Sequence, residues 1–115
     1  MLQKLRTVIY KVADLQKAKE WYTALAGAEP YFDEPFYVGF NIGGSELGLD
    51  PDMENTTPGN QSTAYWAVAD IHQAVEKSLA LGGQLASPIT NVGGPIEVAI
   101  IADPFGNFIG LIAGA

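Results

Sequence analysis

An internal repeat constrains the fold of this 115-residue chain more than any other feature. Val12-Ala13-Asp14-Leu15 returns as Val68-Ala69-Asp70-Ile71. The same offset of 56 pairs Ala18 with Ala74, Ala24 with Ala80, Leu25 with Leu81 and Gly27 with Gly83. Self-similarity of this kind points to one supersecondary unit used twice. Asp14 and Asp70 each precede an apolar-periodic run, where a carboxylate can accept from free helical N–H groups. Gly27 and Gly83 follow those runs, where a left-handed terminal residue is expected. Between cap and glycine, Leu15, Ala18, Trp21, Tyr22 and Leu25 recur at helical spacing, as do Ile71, Ala74, Val75, Ser78 and Leu79.

Each predicted helix follows a β-rich segment, 5–12 in the first copy and 64–68 in the second. Three short strand-like stretches come after each: 29–33, 37–42 and 46–49, then 84–87, 97–102 and 107–112. The expected architecture is α+β, two tandem βαβββ modules forming a curled mixed sheet. They span 1–50 and 62–115, joined by a polar, Pro/Gly-punctuated linker over 51–61, within a single domain covering 1–115.

The hairpins predict which residues share a face. Gly43-Gly44 reads as a two-residue turn, which pairs Asn41 with Glu46, Phe40 with Leu47, Gly39 with Gly48 and Tyr37 with Asp50. Val38, Phe40, Leu47 and Leu49 then face a helix, and Tyr37, Gly39, Asn41, Glu46, Gly48 and Asp50 face the other way. In the second copy Asp103-Pro104-Phe105-Gly106 reads as a four-residue turn. That register puts Val98, Ile100, Ile109 and Leu111 toward the helix. Glu97, Ala99, Ile101, Phe108, Gly110 and Ile112 then lie opposite, with Ala99 facing Gly110.

Composition removes several function classes. Thirteen Asp+Glu against six Lys+Arg leave a net charge of −7, a poor match for nucleic acid or anionic lipid. The absence of cysteine removes disulfides and thiolate chemistry. One histidine, His72, excludes any within-chain site that needs two, and it falls on the second helix rather than on a strand. No run reaches the roughly 18 apolar residues of a membrane span, and no signal-peptide pattern opens the chain, so a cytoplasmic location is expected.

The duplicated modules, Glu20-Trp21-Tyr22 before Leu25-Ala26-Gly27, and the closing Asp103-Pro104-Phe105-Gly106-Asn107 resemble the vicinal-oxygen-chelate superfamily. That superfamily contains glyoxalase I, bleomycin-resistance proteins, extradiol dioxygenases and fosfomycin-resistance enzymes. The resemblance covers nearly the whole chain. It implies a cup built from paired modules, a small-molecule ligand and a homodimer. It also places metal ligands of the metal-dependent members at Thr7 and Thr63 on the first strands, and at Gly48 and Gly110 on the last. Glycine offers no side-chain ligand and threonine a weak one, so metal-dependent chemistry is disfavoured and neither metal nor cofactor is expected.

Other groups remain for the cup. Lys11 lies on the same strand face as Thr7, at an offset where glyoxalase-like members hold a basic residue against the substrate carboxylate. It can bind an anionic group, act as a base if burial lowers its pKa, or simply be solvated. Glu46, Asp50 and Glu97 add carboxylates that can divide acid and base roles, bind a cation or neutralise Lys11. Tyr37, Tyr65 and Phe108 can stack on a planar ligand, or fill a collapsed cup or a dimer contact. Tyr31, Phe32 and Phe36 surround Pro35 in a loop that either covers the entrance or caps the core. The small residues at 39, 48, 99 and 110 leave space for a ligand or serve strand curvature.

Three readings follow as expectations. The first is metal-independent sequestration of a partly aromatic or cationic compound, with Thr7, Tyr37, Asn41, Gly48, Asp50, Thr63, Tyr65, Phe108 and Gly110 lining the site. The second is a glyoxalase-like lyase, isomerase or dioxygenase-family enzyme that uses Lys11 or Glu46 in place of a metal. The third is a scaffold-like protein whose cup is filled by its own side chains, with no open pocket.

Overall fold

Both aspartates cap helices as their positions require. In a computed structural model, which describes residues 1, 3–54 and 63–114, Asp14 accepts from the Lys17 N–H at 3.1 Å and starts α1 (Leu15–Ala26). Asp70 accepts from the Gln73 N–H at 3.1 Å and starts α2 (Ile71–Ala80). Each satisfies one orphan donor of a first turn. The remaining elements are β1 (Thr7–Lys11), β2 (Phe32–Glu34), β3 (Tyr37–Ile42), β4 (Ser45–Asp50), β5 (Tyr65–Ala67), β6 (Gln84–Gly93), β7 (Ile96–Ala102) and β8 (Phe108–Ala113). The chain divides into two units, Met1–Thr56 and Thr57–Ala115. Most of the expected linker lies outside the described residues.

Each unit is a βαβββ module with one four-stranded mixed sheet, in the orders β1-β4-β3-β2 and β5-β8-β7-β6. The first and last strands of each module are parallel neighbours, and the other pairs are antiparallel. In the first module the register matches the sequence expectation: Asn41 opposes Glu46, Phe40 opposes Leu47 and Gly39 opposes Gly48. Gly43 and Gly44 carry φ of 58° and 90°, the left-handed pair that a tight hairpin turn demands. Val38, Phe40, Leu47 and Leu49 are buried on the helix side with Ala18, Trp21 and Tyr22. Tyr10 joins them by stacking on Tyr22, with ring centroids 5.7 Å apart. On the same side Lys19 of α1 holds Asp33 of β2 at 3.0 Å.

The second module departs from expectation by one residue. Its β7–β8 loop runs from Asp103 to Asn107, with Ala102 opposite Phe108, and so has five residues rather than four. Asp103 organises it. Its Oδ1 accepts from the N–H groups of Phe105 and Asn107, and its Oδ2 accepts from the Asn107 side chain. Because side chains alternate along a strand, one added loop residue turns the whole of β7 over. Ala99 and Ile101, not Val98 and Ile100, are buried with Ile109 and Leu111. Gly110 therefore opposes Ile100 rather than Ala99, and Glu97 falls on the helix-side face instead of the site face.

Two smaller corrections concern α2. Its left-handed glycine is Gly82, φ 96°, not Gly83. Gly83 is required for space: a Cβ there would stand 2.9 Å from the Ser78 carbonyl oxygen and 3.0 Å from Ile101. Leu79 points outward, while Ile71, Val75 and Ser78 form the buried stripe.

Candidate functional site

In the first module the face away from α1 carries Thr7, Ile9 and Lys11 from β1, Glu46, Gly48 and Asp50 from β4, and Tyr37, Gly39 and Asn41 from β3. Parallel pairing puts Thr7 beside Glu46 and Lys11 beside Asp50. The Lys11 ammonium donates to Asp50 Oδ2 at 2.9 Å, and Asp50 Oδ1 accepts from the Asp52 N–H. The structure thus joins two expected site residues to each other, leaving Lys11 paired with a carboxylate rather than presented to an anion. Asn41 is drawn into the hairpin, where its Oδ1 accepts from the Gly44 N–H at 3.1 Å.

The hydrogen bond from Lys11, followed by that from the Asp52 backbone, holds the Asp50 carboxyl below its ordinary pKa. A carboxyl with a lower pKa in the folded chain adds stability above about pH 4, which is lost as pH falls through the folded value. Asp50→Asn is therefore expected to flatten the acid limb of the stability profile below pH 4. Because the pair is partly exposed, the change at neutral pH should stay within about 1 kcal/mol. Thermal unfolding followed from pH 3 to pH 7 reads this, and an unaltered acid limb would remove the pair from the account.

The middle of this face is filled by tyrosines. Both the Tyr37 and the Tyr31 hydroxyls donate to the Glu46 carboxylate, one to each oxygen. The Tyr37 ring lies across Gly48, where any Cβ would collide with its hydroxyl end. Above Gly39, a Cβ would meet Tyr31 at 3.3 Å, Tyr37 at 3.4 Å and Glu46 at 3.5 Å, so three side chains converge over that glycine. Burial raises the Tyr37 pKa, with Arg6 opposing and Asp50 adding, which keeps the phenol protonated and donating at neutral pH. Phe32 extends the aromatic surface. Its ring centroid is 6.1 Å from Tyr37 and 5.9 Å from Phe36. Tyr31, Phe32 and Phe36 are all exposed, so they do not cap the core.

The second module repeats the arrangement from another direction. Tyr65 of β5 opposes Gly110 of β8, and its ring atoms stand 2.5–2.7 Å from where a Gly110 Cβ would be. Phe108 shares this face, and both it and Tyr65 are substantially exposed. Thr63 lies just before β5.

Thr7, Gly48, Thr63 and Gly110 do not fit the metal site that the resemblance assigns to these positions. The two glycines supply no donor, and a phenol ring takes the volume a ligand side chain needs. Thr7 accepts a hydrogen bond from Arg6 at 2.7 Å. Among the described residues, no three His, Cys, Asp or Glu side chains are grouped as a metal site requires. A cleft on the helix side, lined by Leu15, Lys19, Asp33 and Pro35 among others, contains none of the expected site residues. No described helix is long and apolar enough to cross a membrane.

Sequence reasoning missed the part played by Tyr31. Within the expected stretch 29–33 it alternates to the face opposite Phe32, but the strand starts only at Phe32; Tyr31 precedes it, with its N–H donating to the Gly39 carbonyl and its hydroxyl to Glu46. Ile9 was legible, since it alternates with Thr7 and Lys11.

Paired βαβββ modules, each with an open sheet face of aromatic and polar side chains, define a class of small α+β domains built by duplication. The chain belongs to the Glyoxalase/Bleomycin resistance protein/Dioxygenase superfamily, whose family model matches residues 4–111. Solved structures agree on the fold. A glyoxalase/bleomycin resistance protein/dioxygenase family enzyme from Burkholderia phytofirmans PsJN superposes with a TM-score of 0.82 at 16% identity, covering 98% of this chain and all of that one. The genomically encoded fosfomycin resistance protein FosX from Listeria monocytogenes gives 0.80 at 19% identity, covering 100% and 96%. A glyoxalase/bleomycin resistance protein from Albidiferax ferrireducens T118 gives 0.76 at 24% identity, covering 94% and 97%. No curated protein matches the chain at a significant level.

Proposed function

We propose that this protein is a metal-independent binder of small, partly aromatic or cationic molecules, which it holds against the open faces of its modules and sequesters as a homodimer. One observation carries this reading. At Gly48 and Gly110, where metal enzymes of the family hold ligands, a tyrosine ring covers a glycine. Coordination is replaced by an aromatic surface on which a planar molecule can stack. Tyr37, Tyr65 and Phe108 supply that surface, and Thr7, Glu46 and the Lys11–Asp50 pair supply its polar edge. Calorimetry against a panel of neutral and cationic aromatic compounds, bleomycin included, tests the reading. Binding is expected to survive a chelator and to weaken at least five-fold in Tyr65→Ala. A flat response across the panel, or binding that needs a divalent metal, would overturn it.

The Tyr31–Glu46–Tyr37 arrangement supports one alternative, a lyase or isomerase in which Glu46 accepts a proton from substrate. Lys11 is the weaker candidate for that role because Asp50 already holds it. Turnover that survives chelation and disappears in Glu46→Ala would select the enzyme.

A further inference from the structure

The two carboxylates on the open face of the first module, Asp50 and Glu46, are held in different ways. Lys11 and Asp50 neutralise each other at 2.9 Å. Glu46 has no such partner: among the described residues no Lys, Arg or His lies within ion-pair distance of it. Arg6, whose carbonyl accepts from the Glu46 N–H, turns its guanidinium to Thr7 Oγ1 and acts on the Tyr37 hydroxyl only through its field. Both contacts of the Glu46 side chain are phenol hydroxyls, which stabilise its charge by hydrogen bonding without cancelling it. They also fix its orientation, since each oxygen is held by a different tyrosine.

The surroundings of this carboxylate are aromatic. Tyr31 and Tyr37 flank it over Gly39, and Phe32 and then Phe36 continue the surface at centroid spacings near 6 Å. Tyr31 is 62% exposed and Phe36 61%, so the rings are open to a visitor rather than spent in the core. Ring faces carry negative quadrupole charge and attract cations, most strongly poorly hydrated ones that give up little water. A fixed carboxylate without an ion-pair contact, set among such rings, favours a cation over an anion or a neutral molecule.

We infer that Glu46, Tyr31, Tyr37 and Phe32 form a recognition site for an alkylated ammonium group, the cationic head of a small organic molecule. The inference rests on the ligand-binding reading above and narrows it to one chemical class and one module. Tyr31 supplies a ring face and, with Tyr37, holds Glu46 in place. Neither is asked to transfer a proton.

Choline and its uncharged isostere 3,3-dimethylbutan-1-ol, titrated into the full chain by calorimetry, test the charge directly. Choline is expected to bind at least ten-fold tighter than the isostere, and Glu46→Gln to erase that preference. Because Glu46→Gln alters a hydrogen-bonded pair, Tyr31→Ala serves as a second variant at an exposed position. It is expected to weaken choline at least five-fold while leaving the circular dichroism spectrum unchanged. Equal binding of choline and isostere would overturn the ammonium inference and leave the ligand-binding reading standing. So would choline binding unaffected by Glu46→Gln. Failure of both probes would overturn the inference alone if the aromatic panel still binds, and both readings if the panel is also silent.

Discussion

Gly48→Ala is expected to destabilise the protein by about 1–3 kcal/mol, the cost of overpacking a filled site. The backbone is not the reason, since Gly48 is not among the positive-φ glycines. Its cost comes from the Tyr37 ring, which occupies the place of the new methyl group. Moving that ring also pulls its hydroxyl from Glu46. A double-mutant cycle isolates the effect. In a Tyr37→Ala background the alanine at 48 meets no ring, and its cost should fall to about zero or become a small gain, because glycine is a weak strand residue. A coupling of at least about 1 kcal/mol by urea denaturation is the expected result. Equal costs in both backgrounds would show that the ring does not fill this position in solution.

Phe40→Ala should have the larger effect, about 3–5 kcal/mol, typical of emptying a buried aromatic site. Phe40 is fully buried, opposite Leu47 on the helix side of the first sheet. Small domains hold only about 5–15 kcal/mol in total, so the variant should be largely unfolded at modest urea concentrations. Phe108→Ala is the informative control. It removes the same ring from the open face of the second sheet, where Phe108 is 40% exposed, and should cost clearly less, near 1 kcal/mol. Comparable losses at the two positions would contradict the division of each sheet into a packed and an open face.

The contrast between the modules shows what a sequence makes legible. Gly43-Gly44 demands one turn geometry, and from it the register and faces of β3 and β4 follow without further information. Asp103-Pro104-Phe105-Gly106-Asn107 names a turn as plainly but does not say where pairing resumes. That depends on the bonds Asp103 makes to Phe105 and Asn107, which become visible only with the backbone in place. One residue of uncertainty in the loop inverted the faces assigned to Ala99 and Ile101. At the candidate site, alternation correctly grouped Tyr37, Gly48 and Glu46 on one face. It gave no means of seeing that a ring would lie over the glycine, because that depends on side-chain direction. Pairing of Lys11 with Asp50 was one of several options for the carboxylates and was decided by the parallel β1–β4 register.

The two tyrosines that cover glycines differ in how they are held. Tyr37 is anchored at its far end by Glu46, so lifting it off Gly48 breaks a charge-assisted hydrogen bond as well as ring contacts. Tyr65 covers Gly110 with its hydroxyl taking no partner among the described residues, and the residue is 43% exposed. One cover is latched and the other merely rests in place. Lifting Tyr65 therefore costs only surface contact, so on the ligand-binding proposal the second module is the one whose cover a molecule would displace. On the same proposal, a molecule at the first module would rest on a ring that Glu46 keeps in place.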